Sequence, residues 1–219
     1  MDLQKRRLQG GFTLVEIAIV LVVIGLLLGA ILKGQELIEN SRVKNAVNEL
    51  NGIRAAHNAY LDRFKRVAGD DGPLATLTAR GGNWTGVTAA GNNNGVLAIT
   101  AAQTFTGGGE GAAYFQHLRA AGFITGDHTL AGVNALPRNA FGGLTGITNA
   151  AVLGYAQDTL MVCLGSVPGK AAAALDVQID DGRPDSGNLR ATQGTNNTVP
   201  AAAATAYSEA QSYTVCSAM

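Results

Sequence analysis

Strong hydrophobes crowd one end of the chain. From Phe12 to Leu32 every position except Glu16 is uncharged, and Ile, Leu and Val predominate throughout the run. A helix of that length spans roughly 31 Å, the thickness of a bilayer's hydrocarbon core, so the segment can cross a membrane. No second apolar run of this length follows, which predicts a single crossing. Beyond it the pattern becomes periodic: Val43, Val47, Leu50, Ile53, His57, Leu61 and Phe64 recur at spacings of 4, 3, 3, 4, 4 and 3. That is an amphipathic helical stripe, with Arg42, Lys44, Asn48, Glu49, Asn51, Arg54, Asp62 and Arg63 on the solvated face. The two patterns join without a break signal. One helix of about 80 Å is predicted from Phe12 to about Arg66, stopped by Gly69-Asp70-Asp71-Gly72-Pro73, whose two acids read as a solvated turn.

The rest of the chain is weaker text. Leu74 to Gly109 is Gly, Ala, Thr and Asn, with Asn92-Asn93-Asn94-Gly95 and Gly107-Gly108-Gly109, which predicts long loops and one short strand at Val96 to Thr100. Glu110 to Ala121 places Tyr114, Phe115, Leu118 and Ala121 on one face before Gly122, a short amphipathic helix. Leu144 to Thr148, Val152 to Tyr155 and Thr159 to Leu164 read as strands of a meander. A helical turn at Lys170 to Leu175, a strand at Val177 to Ile179 entering the Asp180-Asp181-Gly182 turn, and a last strand at Ser212 to Cys216 follow. Ala201 to Ala204, after Pro200, reads as loop or frayed helix. Antiparallel strands leaning on one long helix give an α+β fold.

Charge then sets the topology. The chain carries 16 Lys+Arg against 16 Asp+Glu, which removes a nucleic-acid reading based on a basic stripe. The bases Lys5, Arg6 and Arg7 stand directly before the apolar span, and no comparable density follows it. This places the N-terminus in the cytoplasm and the remainder outside. A secretory signal peptide has an apolar region of about 7 to 15 residues and a small-x-small cleavage site. The run here is longer and passes unbroken into Ile31-Leu32-Lys33-Gly34-Gln35-Glu36-Leu37, so cleavage after the span is disfavoured and a plain signal anchor is the bland alternative.

Two features go beyond anchoring. Glu16 puts a carboxylate inside the apolar run, and such a group normally has a partner. The string Gly10-Gly11-Phe12-Thr13-Leu14-Val15-Glu16 follows the basic cluster directly. Gly11-Phe12-Thr13-Leu14-Val15-Glu16 with its apolar helix resembles the class III signal of type IV pilins and of the pseudopilins of type II secretion, a likeness that extends from the N-terminus to about Lys65. The resemblance implies that a prepilin peptidase cuts between Gly11 and Phe12, that Phe12 becomes N-methylated, and that Glu16 is the fifth residue of the mature chain. It implies a leader at residues 1–11, a helix at 12–66 with its transmembrane part at 12–32, and a globular domain at 67–219. In a staggered polymer the Phe12 amine of one subunit can meet the Glu16 carboxylate of the next, each neutralising the other in low dielectric. Gly25 and Gly29 form a small-xxx-small pair that lets helices approach closely, and Gly25 matches a position where pilins commonly carry Gly. Lys33, flanked by Gly29 and Gly34, stands where many pilins have Pro.

Cys163 and Cys216 lie in apolar strand-like contexts on the exported side, where oxidation to a disulfide is expected, two buried free thiols being the alternative. A C-terminal disulfide also recurs in many pilins. The search for catalysis is negative: Gly165-Ser166-Val167-Pro168-Gly169-Lys170 fails as a phosphate loop, because Leu164 and Ala171 replace its first Gly and its Ser/Thr, and His57, His117 and His128 are not at metal spacing. His57 reads as a core or boundary histidine. Asp180, Asp181 and Asp185 could gather oxygens around calcium, as the resemblance to pseudopilins implies, but Gly182 and Pro184 break the EF-hand spacing and acidic turn residues are the commoner explanation.

The reading is a non-enzymatic structural subunit without a resident cofactor. It is made as an inner-membrane precursor with a periplasmic domain, processed by prepilin peptidase, handed to an inner-membrane assembly platform and polymerised with itself or other pilins through the helix. The alternatives are a type II secretion pseudopilin and a minor tip-located adhesive pilin presenting the Gly/Asn loops. Removing residues 1–11 takes three bases and one acid from the 16 of each, leaving 13 and 15.

Overall fold

The computed structural model describes residues 11–219. The long helix α1 runs from Leu14 to Phe64 as 51 continuous residues. The chain divides into two compact units, the first ending at Ser41 and the second starting at Arg42. In the first unit the helix is apolar and exposed from end to end of the predicted span: no residue between Gly11 and Leu32 is buried. Among the described residues α1 is the one helix long and apolar enough to cross a membrane.

In the second unit, the Arg42–Phe64 part of α1 covers the helix-side core. Its buried positions are Val43, Ala46, Leu50, Ile53, Ala56 and Tyr60. The stripe read from sequence is therefore turned: Val47 and Phe64 sit at the core's edge and Leu61 is 42% exposed, while two alanines and a tyrosine take the centre. Alanine lets the helix lie close to what it covers, and large-residue periodicity does not register it.

Next come α2 (Leu74–Thr78) and α3 (Gly111–Ala120), then the strands β1 (Thr145–Thr148) and β2 (Met161–Pro168), the helix α4 (Gly169–Ile179), and β3 (Leu189–Gln193) and β4 (Ser212–Ala218). The sheet order is β1-β2-β4-β3. All three pairings are antiparallel, with Cys163 directly opposite Cys216. Alternation along the strands serves two cores: Val162, Leu164 and Val215 face the helices, while Met161, Cys163 and Cys216 pack with Phe105 and Leu153 on the other face. Both faces are covered, which is why β2 reads as a continuous apolar run.

Helix α3 is buried along its whole length, so the amphipathic reading is corrected: this is a central helix. It ends in a Schellman turn, with Phe123 N–H bonded to Leu118 O at 2.9 Å, Gly122 N–H to Arg119 O at 3.0 Å, and Gly122 at φ 79°. Val177 to Ile179 is not a strand but the last turn of α4. The alanine run carries the helix forward, and Ala171, Ala172, Leu175 and Asp176 form its buried face. Val152 to Tyr155 is a turn, with Leu153 at φ 56° pressed into the second core, and Val96 to Thr100 forms no strand. Strand β3 has little signal in the sequence; only Leu189 and Ala191 carry its alternation.

β2 and β4 slip register between Leu164 and Val167, where Ser166 has φ 57°. A Cβ at Gly165 would collide with Asn197, so only glycine fits this bulge. Asn139 fixes the adjoining hairpin with all its bonding capacity: its Nδ2 donates to Leu144 O (3.2 Å) and Gly165 O (2.8 Å), and its Oδ1 accepts from Phe141 N (2.9 Å) and Gly143 N (3.1 Å).

Candidate functional site

The start of α1 has a defined bonding pattern. Thr13 precedes the first residue of the helix, and its N–H and hydroxyl both donate to Glu16 Oε2, at 2.8 and 2.9 Å; Glu16 N–H donates back to Thr13 Oγ1 at 3.2 Å. This is a capping box, in which the helix-start hydroxyl and the acid three residues on satisfy donors that a helix otherwise leaves open. Sequence reasoning took Glu16 for its charge and missed this second role. The signal was present as Thr13-x-x-Glu16. Glu16 thus has a partner inside its own chain, which holds the carboxylate at the start of the helix.

Gly11 and Phe12 lie outside the helix, both exposed, with nothing within 4 Å of where a Gly11 side chain would start. Among the described residues, none crowds the Gly11–Phe12 bond. The rest of the expected leader, residues 1–10, lies outside the described residues. Gly25 and Gly29 likewise have nothing within 4 Å of where a Cβ would stand. A glycine inside a helix costs about 1 kcal/mol relative to alanine, and the described residues supply no packing that requires these two.

Cys163 and Cys216 form a disulfide between β2 and β4 and are fully buried. The calcium candidates separate. Asp180 and Asp181 come together with Asp176, their ligand atoms all within 4.8 Å of one another, whereas Asp185 turns to Arg183 at 3.3 Å. Asp176, which falls between the predicted helical turn and strand and lies inside α4, is the member that sequence missed. The cluster is internally bonded. Asp176 accepts from Gly182 N (2.9 Å) and Tyr207 OH (2.6 Å), Asp180 from Leu189 N (2.7 Å), and Asp181 from Arg183 N (2.9 Å) and Ser186 Oγ (2.6 Å). Burial pushes the Asp176 carboxyl and the Tyr207 hydroxyl upward, while the Ser186 and Arg183 donors hold Asp181 down. No buried oxygen of this group lacks a partner. Each of the three acids is thus held by donors of its own chain.

The Asp70-Asp71 turn is a correction: both side chains are buried. Asp70 accepts from Asn94 N (3.1 Å) and Gly95 N (2.7 Å). Asp71 accepts from Tyr60 OH (2.7 Å) and Arg80 Nη2 (2.8 Å). Burial, then the Asp71 contact, pushes the Tyr60 hydroxyl upward. His57 is half-buried, stacked on Tyr114 at 5.9 Å, and desolvation lowers its pKa. His117 is fully buried. Its Nδ1 accepts from Gly69 N at 2.9 Å, so Nε2, 3.0 Å from Ala89 O, carries the proton.

Residues 6–32 match the family model described as the prokaryotic N-terminal methylation motif. No curated protein and no solved structure matches the chain.

Proposed function

We propose that the chain is the structural subunit of a type IV pilus or pilus-like filament, cut by a prepilin peptidase between Gly11 and Phe12, methylated on Phe12 and polymerised through α1. The architecture is pilin-like α+β: a long N-terminal apolar helix and a small four-stranded antiparallel sheet domain. The observation that carries the reading is the methylation motif, sitting on an exposed Gly11–Phe12 bond and a capped apolar helix that buries none of its first turns. Exposed hydrophobic surface of that extent needs lipid or other helices around it. Gly25 and Gly29 offer places where helix backbones meet.

The mechanism is assembly. The precursor stays in the inner membrane with the N-terminus cytoplasmic and the 67–219 domain periplasmic. An assembly platform then moves the helix from lipid into a bundle, ending in an extracellular pilus or a periplasmic pseudopilus. A new ammonium on Phe12, four residues from Glu16, gives a neighbouring carboxylate a partner and makes one register preferable. The domain acts as coat, with no catalytic role. Mass spectrometry of the purified protein tests the processing: a methylated chain beginning at Phe12 is expected, and an intact Met1 or a cut elsewhere overturns it. Glu16→Ala should be cleaved normally yet assemble poorly; normal filaments from it would remove the pairing. Stoichiometry in sheared filaments separates a dominant subunit from a scarce tip protein or a periplasmic pseudopilin.

A further inference from the structure

The Gly- and Asn-rich segment 69–98 is closed without a sheet. It contains α2 and one 3₁₀ turn (Gly82–Gly86), and its backbone-to-backbone hydrogen bonds all stay within residues 67–93. Side chains attach it to the rest of the unit: Tyr60 and Arg66 reach Asp71, Asn149 reaches Leu97 O, and the others project from α3 and the residue before it. Glu110 accepts from Asn92 N (3.4 Å) and Ala98 N (2.7 Å). Gln116 accepts from Thr88 N (3.2 Å) and Ala89 N (3.0 Å). His117 accepts from Gly69 N and faces Ala89 O. The segment's own Trp84 is set into an aromatic cluster beneath it, packing on Phe64 at 5.4 Å, His117 at 5.9 Å and Tyr60 at 6.3 Å, and is only 7% exposed.

We propose that the 69–98 segment is an acid-released flap with His117 as its trigger: a second proton on the imidazole makes Nδ1 a donor pointing at the Gly69 N–H, and the segment lifts from Tyr60, Phe64 and His117, carrying its own Trp84 with it, while the sheet stays closed. The fixed tautomer makes this a matter of bonding. A neutral ring accepts at one nitrogen and donates at the other, as its two partners require, whereas an imidazolium can only donate. Burial holds the ring at about 4, so it is neutral at pH 7; of the charges facing it, Asp71 raises that value and Arg80 lowers it, and Tyr60 and Trp84 complete its surroundings. In the opposite half of the unit β2 and β4 are joined by main-chain bonds and the disulfide, neither of which titrates between pH 7.5 and 4. The flap belongs to the 42–219 unit alone and does not depend on what the chain assembles into.

Trp84 is the chain's one tryptophan and reports directly on the flap. Its emission is followed in the full-length protein in detergent micelles from pH 7.5 to 4, beside far-ultraviolet circular dichroism. A reversible red shift with a midpoint between the ordinary histidine value of 6.5 and about 4, at unchanged dichroism, is the expected result. An emission that does not move, or that moves only together with loss of dichroism, overturns the proposal. His117→Gln, which keeps an acceptor and a donor but no titration, should abolish the shift; the same midpoint in that variant overturns the trigger. Hydrogen exchange on the unsubstituted protein, corrected for intrinsic rates, decides the matter if the variant does not fold. Amides of Gly69, Asn92 and Ala98 should lose protection at higher pH than those of Val162 and Val215, and simultaneous loss overturns the flap.

Discussion

Replacing both Cys163 and Cys216 by alanine tests how far the domain relies on a cross-link rather than on bulk. The two residues are 53 apart in sequence. Freeing a loop of that size in the unfolded chain is worth about 4 kcal/mol on the chain-entropy account. Alanine is the substitution of choice, since the cysteines are fully buried beside Phe105, Leu153 and Met161 and serine would place two hydroxyls in an apolar cluster. Against a total stability of about 5 to 15 kcal/mol for an ordinary domain, this is a large share. For a unit of this size it corresponds to a fall in Tm of about 10 °C and, at about 2 kcal/mol per molar urea, a midpoint lower by about 2 M. Urea titration of the unsubstituted and doubly substituted proteins in the same detergent, followed by far-ultraviolet dichroism, measures it. A loss below about 1 kcal/mol at equal slope would refute the account. Treatment of the native protein with a reductant is a poor substitute, since neither sulfur is accessible.

Other outcomes follow from single residues. Asn139→Ala removes four bonds from a buried turn and should cost about 2 to 3 kcal/mol in the same titration. Gly91→Ala would set a Cβ against the Asp70 backbone and should cost about 2 kcal/mol or more, whereas Gly52→Ala, with nothing within 4 Å, should stabilise by up to about 1 kcal/mol. A stabilised Gly52→Ala protein that fails to form filaments would locate a helix contact there. For pH, the His117 value is depressed on folding, so the unfolded chain binds the extra proton first. Its contribution is complete above pH 6.5 and lost as pH falls towards about 4, worth about 3 kcal/mol, and urea midpoints across that window should fall accordingly and flatten in His117→Gln.

The long helix and the α+β class were legible because each is written in strong residues at regular intervals. What could not be read was written in small or polar ones. Ala46 and Ala56 centre the buried face of α1, yet alanine is silent in a search for large-residue periodicity. α3 is buried on every side because Gln116, His117 and Arg119 bond inward, and those types read as surface until their partners are known. Asp70 and Asp71 looked like a solvated turn for the same reason. The donors to Asp70 are the amides of Asn94 and Gly95, at the far end of a loop, a pairing that only the closed fold creates. β3 escaped because a short strand with two apolar side chains carries too little alternation. At the N-terminus the motif was read for the cut and the charge, while the reciprocal Thr13–Glu16 bonding waited for geometry.

The order β1-β2-β4-β3 has a consequence for how the domain comes into being. β1 and β2 are near neighbours and can pair as soon as both have been made. Among the described residues β3 has no sheet neighbour except β4, the last of the four in chain order. Until residues 212–218 have been made and can pair, β3 is without a ladder, Cys163 is without its partner, and the helix-side core lacks Tyr213 and Val215. Closure of the sheet is therefore a late, long-range event rather than a progressive one. A folding catalyst that oxidises thiols would meet Cys163 first as a solitary, reactive sulfur, and the last strand to arrive is the one that locks the seam.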